Sequence, residues 1–94
     1  MDAIDTVIAQ FDGDGFPKII SDFSAPISSD LKKHLFSFAT KQAINLDLFV
    51  TAHFALAKDY ALAVHHALKK VKLRAKDIRA IGLHGQTVRH LPHP

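Results

Sequence analysis

Residues 47–71 read as one long helix whose polarity is confined to a strip, and that strip limits what the chain can fold into. At about 100° per residue, Asp47, Thr51, Lys58, Asp59, His65, His66, Lys69 and Lys70 fall within an arc of roughly 140°. The remaining surface, roughly 220°, is apolar or small, whereas an ordinary surface helix carries an apolar stripe of about 100°. A helix of this kind expects neighbours on most of its sides. A chain of 94 residues offers it one sheet face and one short helix. The expectation from this element alone is an incomplete domain, part of a larger fold.

The rest of the chain supplies those two neighbours. Residues 3–11 (A-I-D-T-V-I-A-Q-F) are rich in β-formers, with Ile4, Val7, Ile8 and Phe11 distributed over both faces. Apolar residues on both faces predict a central strand covered on two sides. Asp12-Gly13-Asp14-Gly15 reads as a turn, and residues 16–23 as the returning strand, with Pro17 near its start, where a missing N–H costs least. A calcium loop starting at Asp12 would need an oxygen ligand at its fifth position and a glutamate at its twelfth. Phe16 and Phe23 stand there, so the stretch reads as a turn.

Residues 24–29, containing Pro26, read as a linker. Ser28, Ser29 or Asp30 can cap a first helix with Leu31, Leu35, Phe36, Phe38 and Ala39 at its apolar positions. Residues 40–45 break the helical pattern before the long helix begins. Residues 72–76 lead out of it, and the apolar run 78–83 predicts a last strand. The order is β-β-α-α-β and the class α/β. A helical crossover lets the last strand lie parallel to the first in one sheet.

Composition excludes several functions. An apolar fraction of 48% argues against disorder, and no run of about 18 residues is apolar throughout, so no membrane span is expected. The opening Met1-Asp2-Ala3-Ile4-Asp5 is acidic and lacks the basic region of a signal peptide. The chain has no cysteine, which removes disulfides, thiolate metal sites and cysteine nucleophiles and fits a reducing cytoplasm. The net charge of +3 is mild. Lys69, Lys70, Lys72, Arg74, Lys76 and Arg79 form a basic run, but no aromatic residue interleaves it to stack on a base, which argues against nucleic acid. Cations at a helix C-terminus are explained by the helix dipole. His53, central in the apolar arc, is expected to be buried and hydrogen-bonded. His65 and His66 are about 100° apart and do not form the i, i+4 pair of a zinc helix, so both are expected in solvent.

The densest chemistry lies at residues 84–90. Beyond the expected strand, His84, Gln86, Thr87, Arg89 and His90 crowd around Gly85. In open α/β sheets, ligands bind outside the carboxyl ends of strands. Gln86 and Thr87 can both donate and accept hydrogen bonds, as sugar hydroxyls or phosphate oxygens require. Arg89 presents a guanidinium fork to an anion. Gly85 would let backbone approach a ligand or take a positive φ. His84, His90 and His93 lack a fourth protein ligand, which argues against a metal.

The run I-G-L-H-G-Q-T-V-R-H, Ile81 to His90, resembles the signature of the anhydro-N-acetylmuramic acid kinases, bacterial enzymes of cell-wall recycling. Seven consecutive residues from His84 to His90 match. At the N-terminus, Met1-Asp2-Ala3-Ile4-Asp5 is similar to the second half of the family's S-G-T-S-x-D-G-x-D, with Asp2 and Asp5 matched and Ala3 where glycine is usual. The resemblance implies a partial actin-like, ribonuclease H-like ATPase lobe, with residues 1–94 as its N-terminal fragment. It also implies an ATP- and Mg²⁺-dependent opening of 1,6-anhydro-N-acetylmuramic acid to N-acetylmuramic acid 6-phosphate in the cytoplasm. Asp2 and Asp5 would then belong to the ATP side, and His84, Gln86, Thr87 and Arg89 to the amino-sugar substrate.

The family's general base, an aspartate, lies in a part that these residues do not match, as do its glycine-rich G-G-Q-G-A-P-L segment and second lobe. The Gly, Thr and Ser that cradle phosphate fall in the unmatched half of the N-terminal signature. Phosphoryl transfer needs positioning and charge stabilisation from both sides of a cleft. The expectation is therefore kinase ancestry without kinase activity in this chain alone, with no catalytic residue and no metal ligand assigned within it. The missing remainder of the kinase would be its partner. A different class is a non-catalytic interaction module that dimerises through the apolar face of the long helix. A third, a small basic nucleic-acid binder, predicts salt-sensitive binding.

Overall fold

A computed structural model describes residues 3–13, 15–41 and 43–85. Two antiparallel strands, β1 (Ala3–Phe11) and β2 (Pro17–Pro26), are followed by two helices, α1 (Ser29–Thr40) and α2 (Leu46–Lys70), and a short 3-10 turn at Ala75–Asp77. The class is α/β. The order of the first four elements follows the sequence expectation.

The hairpin is closed by the glycine turn, with Gly13 and Gly15 at φ of 88° and 89°, a region that residues with a Cβ rarely occupy. Pairing runs from Ala3 opposite Pro26 to Phe11 opposite Pro17. Between Ile8 and Ala9 the register slips: Ile8 faces Ser21 and Ala9 faces Ile19, leaving Ile20 as an extra residue. Such a bulge bends and twists the strand it interrupts. Before the bulge the alternation of β1 is clean, with Ile4 and Ile8 buried and Asp5 and Val7 exposed. Beyond it, Phe11 and Ile19 face solvent.

The first half of the expected linker at residues 24–29 is instead strand, because β2 continues to Pro26. Pro26 is the last residue of that strand, a position where its missing N–H does not interrupt the ladder. The expectation that β1 is covered on two sides also fails among the described residues. The sheet there has two strands, β1 pairs only with β2, and Val7 is 56% exposed.

Both helices are capped as their sequences suggest. The Ser28 hydroxyl accepts the Leu31 amide at 3.3 Å, and Asn45 Oδ1 accepts the Leu48 amide at 3.2 Å. Asp30 and Asp47 lie in the first turns and Lys69 and Lys70 in the last turn of α2, each complementing a helix dipole. The C-terminus of α2 closes with a Schellman arrangement: the Leu73 amide donates to the Leu68 carbonyl at 3.0 Å and the Lys72 amide to Lys69 at 3.2 Å. Lys72 carries the left-handed turn at φ 59°, a place usually given to glycine.

The core is built where α2 crosses the sheet and meets α1. Ile4, Ile27, Leu31, Phe38, Ala52 and Ala63 form one cluster; Ile8, Ala67 and Leu68 form a second, joined by half-buried Ile78 and Phe23. Ala63 shares the cluster of Ile4 and Ala67 that of Ile8, so α2 presents little bulk where it meets β1. Lys70 closes the seam from its end, donating to the Asp22 carbonyl at 3.1 Å and standing 5.9 Å from the Phe23 ring centroid. Part of the basic run is thus fastened to the sheet.

Residues 78–83 are not a strand. They pair with neither strand of the sheet, and the β-β-α-α-β order ends without its last β. Ile78 anchors the segment in the second cluster, while Ile81 and Leu83 remain 59% and 67% exposed. An apolar run becomes a strand only when a neighbouring edge accepts its hydrogen bonds. Here a cleft separates it from β1.

The wide apolar surface of α2 is only partly covered. Leu46, Val50 and Phe54 are exposed, together with Phe36 of α1. His53, expected in the core, is exposed too, with its ring edge-on to Phe54 at 5.6 Å. Among the described residues nothing packs over this part of the arc. His65 and His66 are exposed, as expected.

Candidate functional site

The closing segment 78–85 lies along α2 between two clefts. One, of about 820 Å³, opens towards α1 and is lined mostly by apolar groups, among them Phe38, Phe49, Leu56 and Ile81. The other, of about 790 Å³, lies between the segment and β1. Its β1 wall carries Asp5, Thr6 and Gln10, and its opposite wall Asp77, Arg79 and His84. The cleft runs the length of β1, whose successive side chains alternate between its two faces, over a floor that includes Val64, Ala67 and Leu68 of α2.

The local sequence explains how the segment reaches this place. After the Schellman turn, the Asp77 carboxylate accepts the Arg74 amide at 2.8 Å and the chain makes a single 3-10 turn. That turn directs Ile78 back onto Ile8 and Leu68. Seven residues later, the half-buried Tyr60 of α2 donates its hydroxyl to the His84 carbonyl at 3.0 Å. The segment is thus pinned at Ile78 by packing and at His84 by a hydrogen bond.

Of the expected site residues, Asp5 and His84 are brought to the same cleft, and both are exposed. Asp2, Gln86, Thr87 and Arg89 lie outside the described residues, as do His90 and His93. Gly85 does not take a positive φ, and a Cβ built there meets nothing within 4 Å. Of the two roles expected of Gly85, the positive φ is absent and the space beside it is open. No group of three or more His, Cys, Asp or Glu gathers among the described residues.

Tyr60 is the residue that the sequence reading passed over. It lies on the apolar arc of α2, where a phenol is easily counted as core. A buried or half-buried tyrosine hydroxyl normally finds a partner, and that requirement was the available signal.

The family model for anhydro-N-acetylmuramic acid kinase matches residues 1–94. The chain belongs to the anhydro-N-acetylmuramic acid kinase family. A protein of that name from Coxiella burnetii (strain RSA 493 / Nine Mile phase I) is 39% identical over 93 residues, covering 99% of this chain and 24% of the relative. One from Chromobacterium violaceum is 38% identical over 93 residues, covering 99% and 25%. A third, from Bordetella pertussis, is 38% identical over 92 residues, covering 98% and 24%. The chain therefore spans about a quarter of the length of the curated relatives it matches. For a kinase of this family, two antiparallel strands followed by two helices are consistent with part of an actin-like lobe. No helix among the described residues is long and apolar enough to cross a membrane.

Proposed function

We propose that this chain carries part of the sugar-facing wall of a cytoplasmic, ATP- and Mg²⁺-dependent kinase. Its reaction converts 1,6-anhydro-N-acetylmuramic acid to N-acetylmuramic acid 6-phosphate in peptidoglycan recycling. Residues 1–94 form one portion of an ATPase lobe in this reading. The observation that carries it is the shared cleft: Asp5, from the N-terminal signature, and His84, from the loop signature, line one space of about 790 Å³. One residue from each of two motifs separated by most of the chain thus lines a space with room for a ligand of amino-sugar size.

Within this reading, Gln86 and Thr87 contact the sugar through hydrogen bonds to its hydroxyl and acetamido groups. Arg89 faces an anionic group, and His84 shapes the entry to the loop. Asp2 and Asp5 lie on the nucleotide side. The described residues do not make a nucleotide site alone. A carboxylate is an acceptor only, and phosphate needs donors or a cation between them. Asp5 supplies the wrong half of that pair, so no phosphoryl-transfer step is assigned to these residues.

The isolated chain is accordingly expected to transfer no phosphate. Incubation of the purified chain with ATP, Mg²⁺ and the anhydro sugar should give no sugar phosphate beyond the no-protein control. Product above that control would overturn this part of the proposal. The exposed Leu46, Val50 and Phe54 of α2 fit the same reading, as surface for the rest of a kinase about four times longer. A sharp, concentration-dependent dimer in sedimentation, with cooperative unfolding, would favour the interaction module instead.

A further inference from the structure

We propose that Tyr60 is a positioning residue for the sugar-contacting loop, acting through the peptide group that joins His84 to Gly85. The proposal rests on the loop reading above and deepens it. The Tyr60 ring packs against the core cluster of Ile4, Leu31 and Ala63, so its direction is set by α2 and the hydrophobic core. Its hydroxyl leaves that core and donates to the His84 carbonyl at 3.0 Å. A trans peptide is planar, with its N–H pointing opposite to its C=O. Holding the His84 carbonyl against α2 therefore turns the Gly85 N–H away from the helix. The space at Gly85 is open. The structure assigns to Tyr60 the orientation of the His84–Gly85 peptide group, and with it the direction of the Gly85 N–H.

A core side chain is a stiffer reference than the loop itself, because packed interiors hold side chains in single rotamers. Losing one such hydrogen bond is worth about 0.5–1.5 kcal/mol, roughly a two- to tenfold change in the equilibrium it biases. The sugar need not touch Tyr60 for its affinity to depend on the phenol.

Nuclear magnetic resonance on the 94-residue chain tests this directly. Tyr60 is the single tyrosine, so its ring signals are unambiguous. In the wild-type chain they should show Overhauser contacts to the His84 and Gly85 backbone protons; their absence overturns the clamp without recourse to any variant. Tyr60→Phe, which removes one oxygen and keeps the ring, should shift the Gly85 amide resonance and weaken the Overhauser contacts between residue 60 and the His84 and Gly85 backbone protons. Titration with 1,6-anhydro-N-acetylmuramic acid should then perturb Gly85 in both chains, with a dissociation constant raised roughly two- to tenfold in the variant. Equal affinity with a displaced Gly85 overturns the positioning role. A sugar that perturbs neither chain overturns the loop reading itself, and the Overhauser contacts then report a purely structural clamp.

Discussion

Replacing Phe38 by alanine should remove most of what holds α1 in place, whereas the same change two residues earlier should cost almost nothing. Phe38 is 2% exposed and is the largest fully buried side chain, with its ring 5.5 Å from that of Phe49 across the α1–α2 seam. Phe→Ala in a core costs about 3–5 kcal/mol, the sum of lost transfer energy and the cavity left behind. Small domains are stable by only about 5–15 kcal/mol, so Phe38→Ala removes from about a fifth to the whole of the total. Phe36 is 71% exposed. Less than a third of its surface is out of water, worth under about 1 kcal/mol, and alanine returns about 0.5 kcal/mol through its better helix propensity. The two changes delete the same atoms from the same helix and differ in burial alone.

Urea unfolding followed by far-ultraviolet circular dichroism measures both, with exchange protection of the α1 amides as a local check. Phe36→Ala should unfold within about 0.5 kcal/mol of the wild type. Phe38→Ala should show a much lower midpoint or no folded baseline, with α1 exposed first. Equal costs for the two variants, or a Phe38→Ala cost below about 1 kcal/mol, would refute the packing of α1 on α2 described above.

Lys72→Gly should stabilise the chain by about 0.5–1 kcal/mol, since the left-handed turn costs a residue with a Cβ about 1–2 kcal/mol and glycine gives part of that back as unfolded-state entropy. A higher melting temperature with unchanged helicity checks it. Asn45→Ala removes the side-chain acceptor for the Leu48 amide and should cost about 0.5–2 kcal/mol, with faster exchange confined to the first turn of α2. Gly85→Ala should leave stability unchanged or raise it by up to about 1 kcal/mol, because the site is open and φ is ordinary. If the same variant nonetheless weakens binding of the anhydro sugar, the open space at Gly85 is ligand space.

Local chemistry made most of the fold legible. The glycine turn, the Ser28 cap and the break before α2 depend on neighbours in sequence, and each stands where its residues predict; Asn45, read only as part of that break, turns out to cap α2. Long-range contacts decided the remainder. Residues 78–83 have the apolarity of a strand, but a strand also needs an edge to pair with, and only the fold can supply one. His53 has the right angular position for burial, yet its angle does not say whether anything packs over it. The bulge at Ile20 left no signal, because an extra residue in a run of apolar residues looks like any other. At the candidate site, the sequence named Asp5 and His84 separately, and only the return of the chain from Arg74 to Ile78 puts them across one cleft.

The attachment of residues 78–85 also sets an order of assembly. The hairpin and the α1–α2 pair join neighbours along the chain, contacts whose loop-closure cost is small. Ile78 on Ile8 and His84 on Tyr60 are different: they close loops of most of the chain or of a further helix length. They are also few, so the segment should dock last and release first, opening with a free energy well below that of global unfolding. A hydrogen-exchange series in low denaturant would then show one early-melting unit at the C-terminal side of Arg74. The segment that leads into the densest polar chemistry of the sequence is thus the part whose docking costs the least to undo.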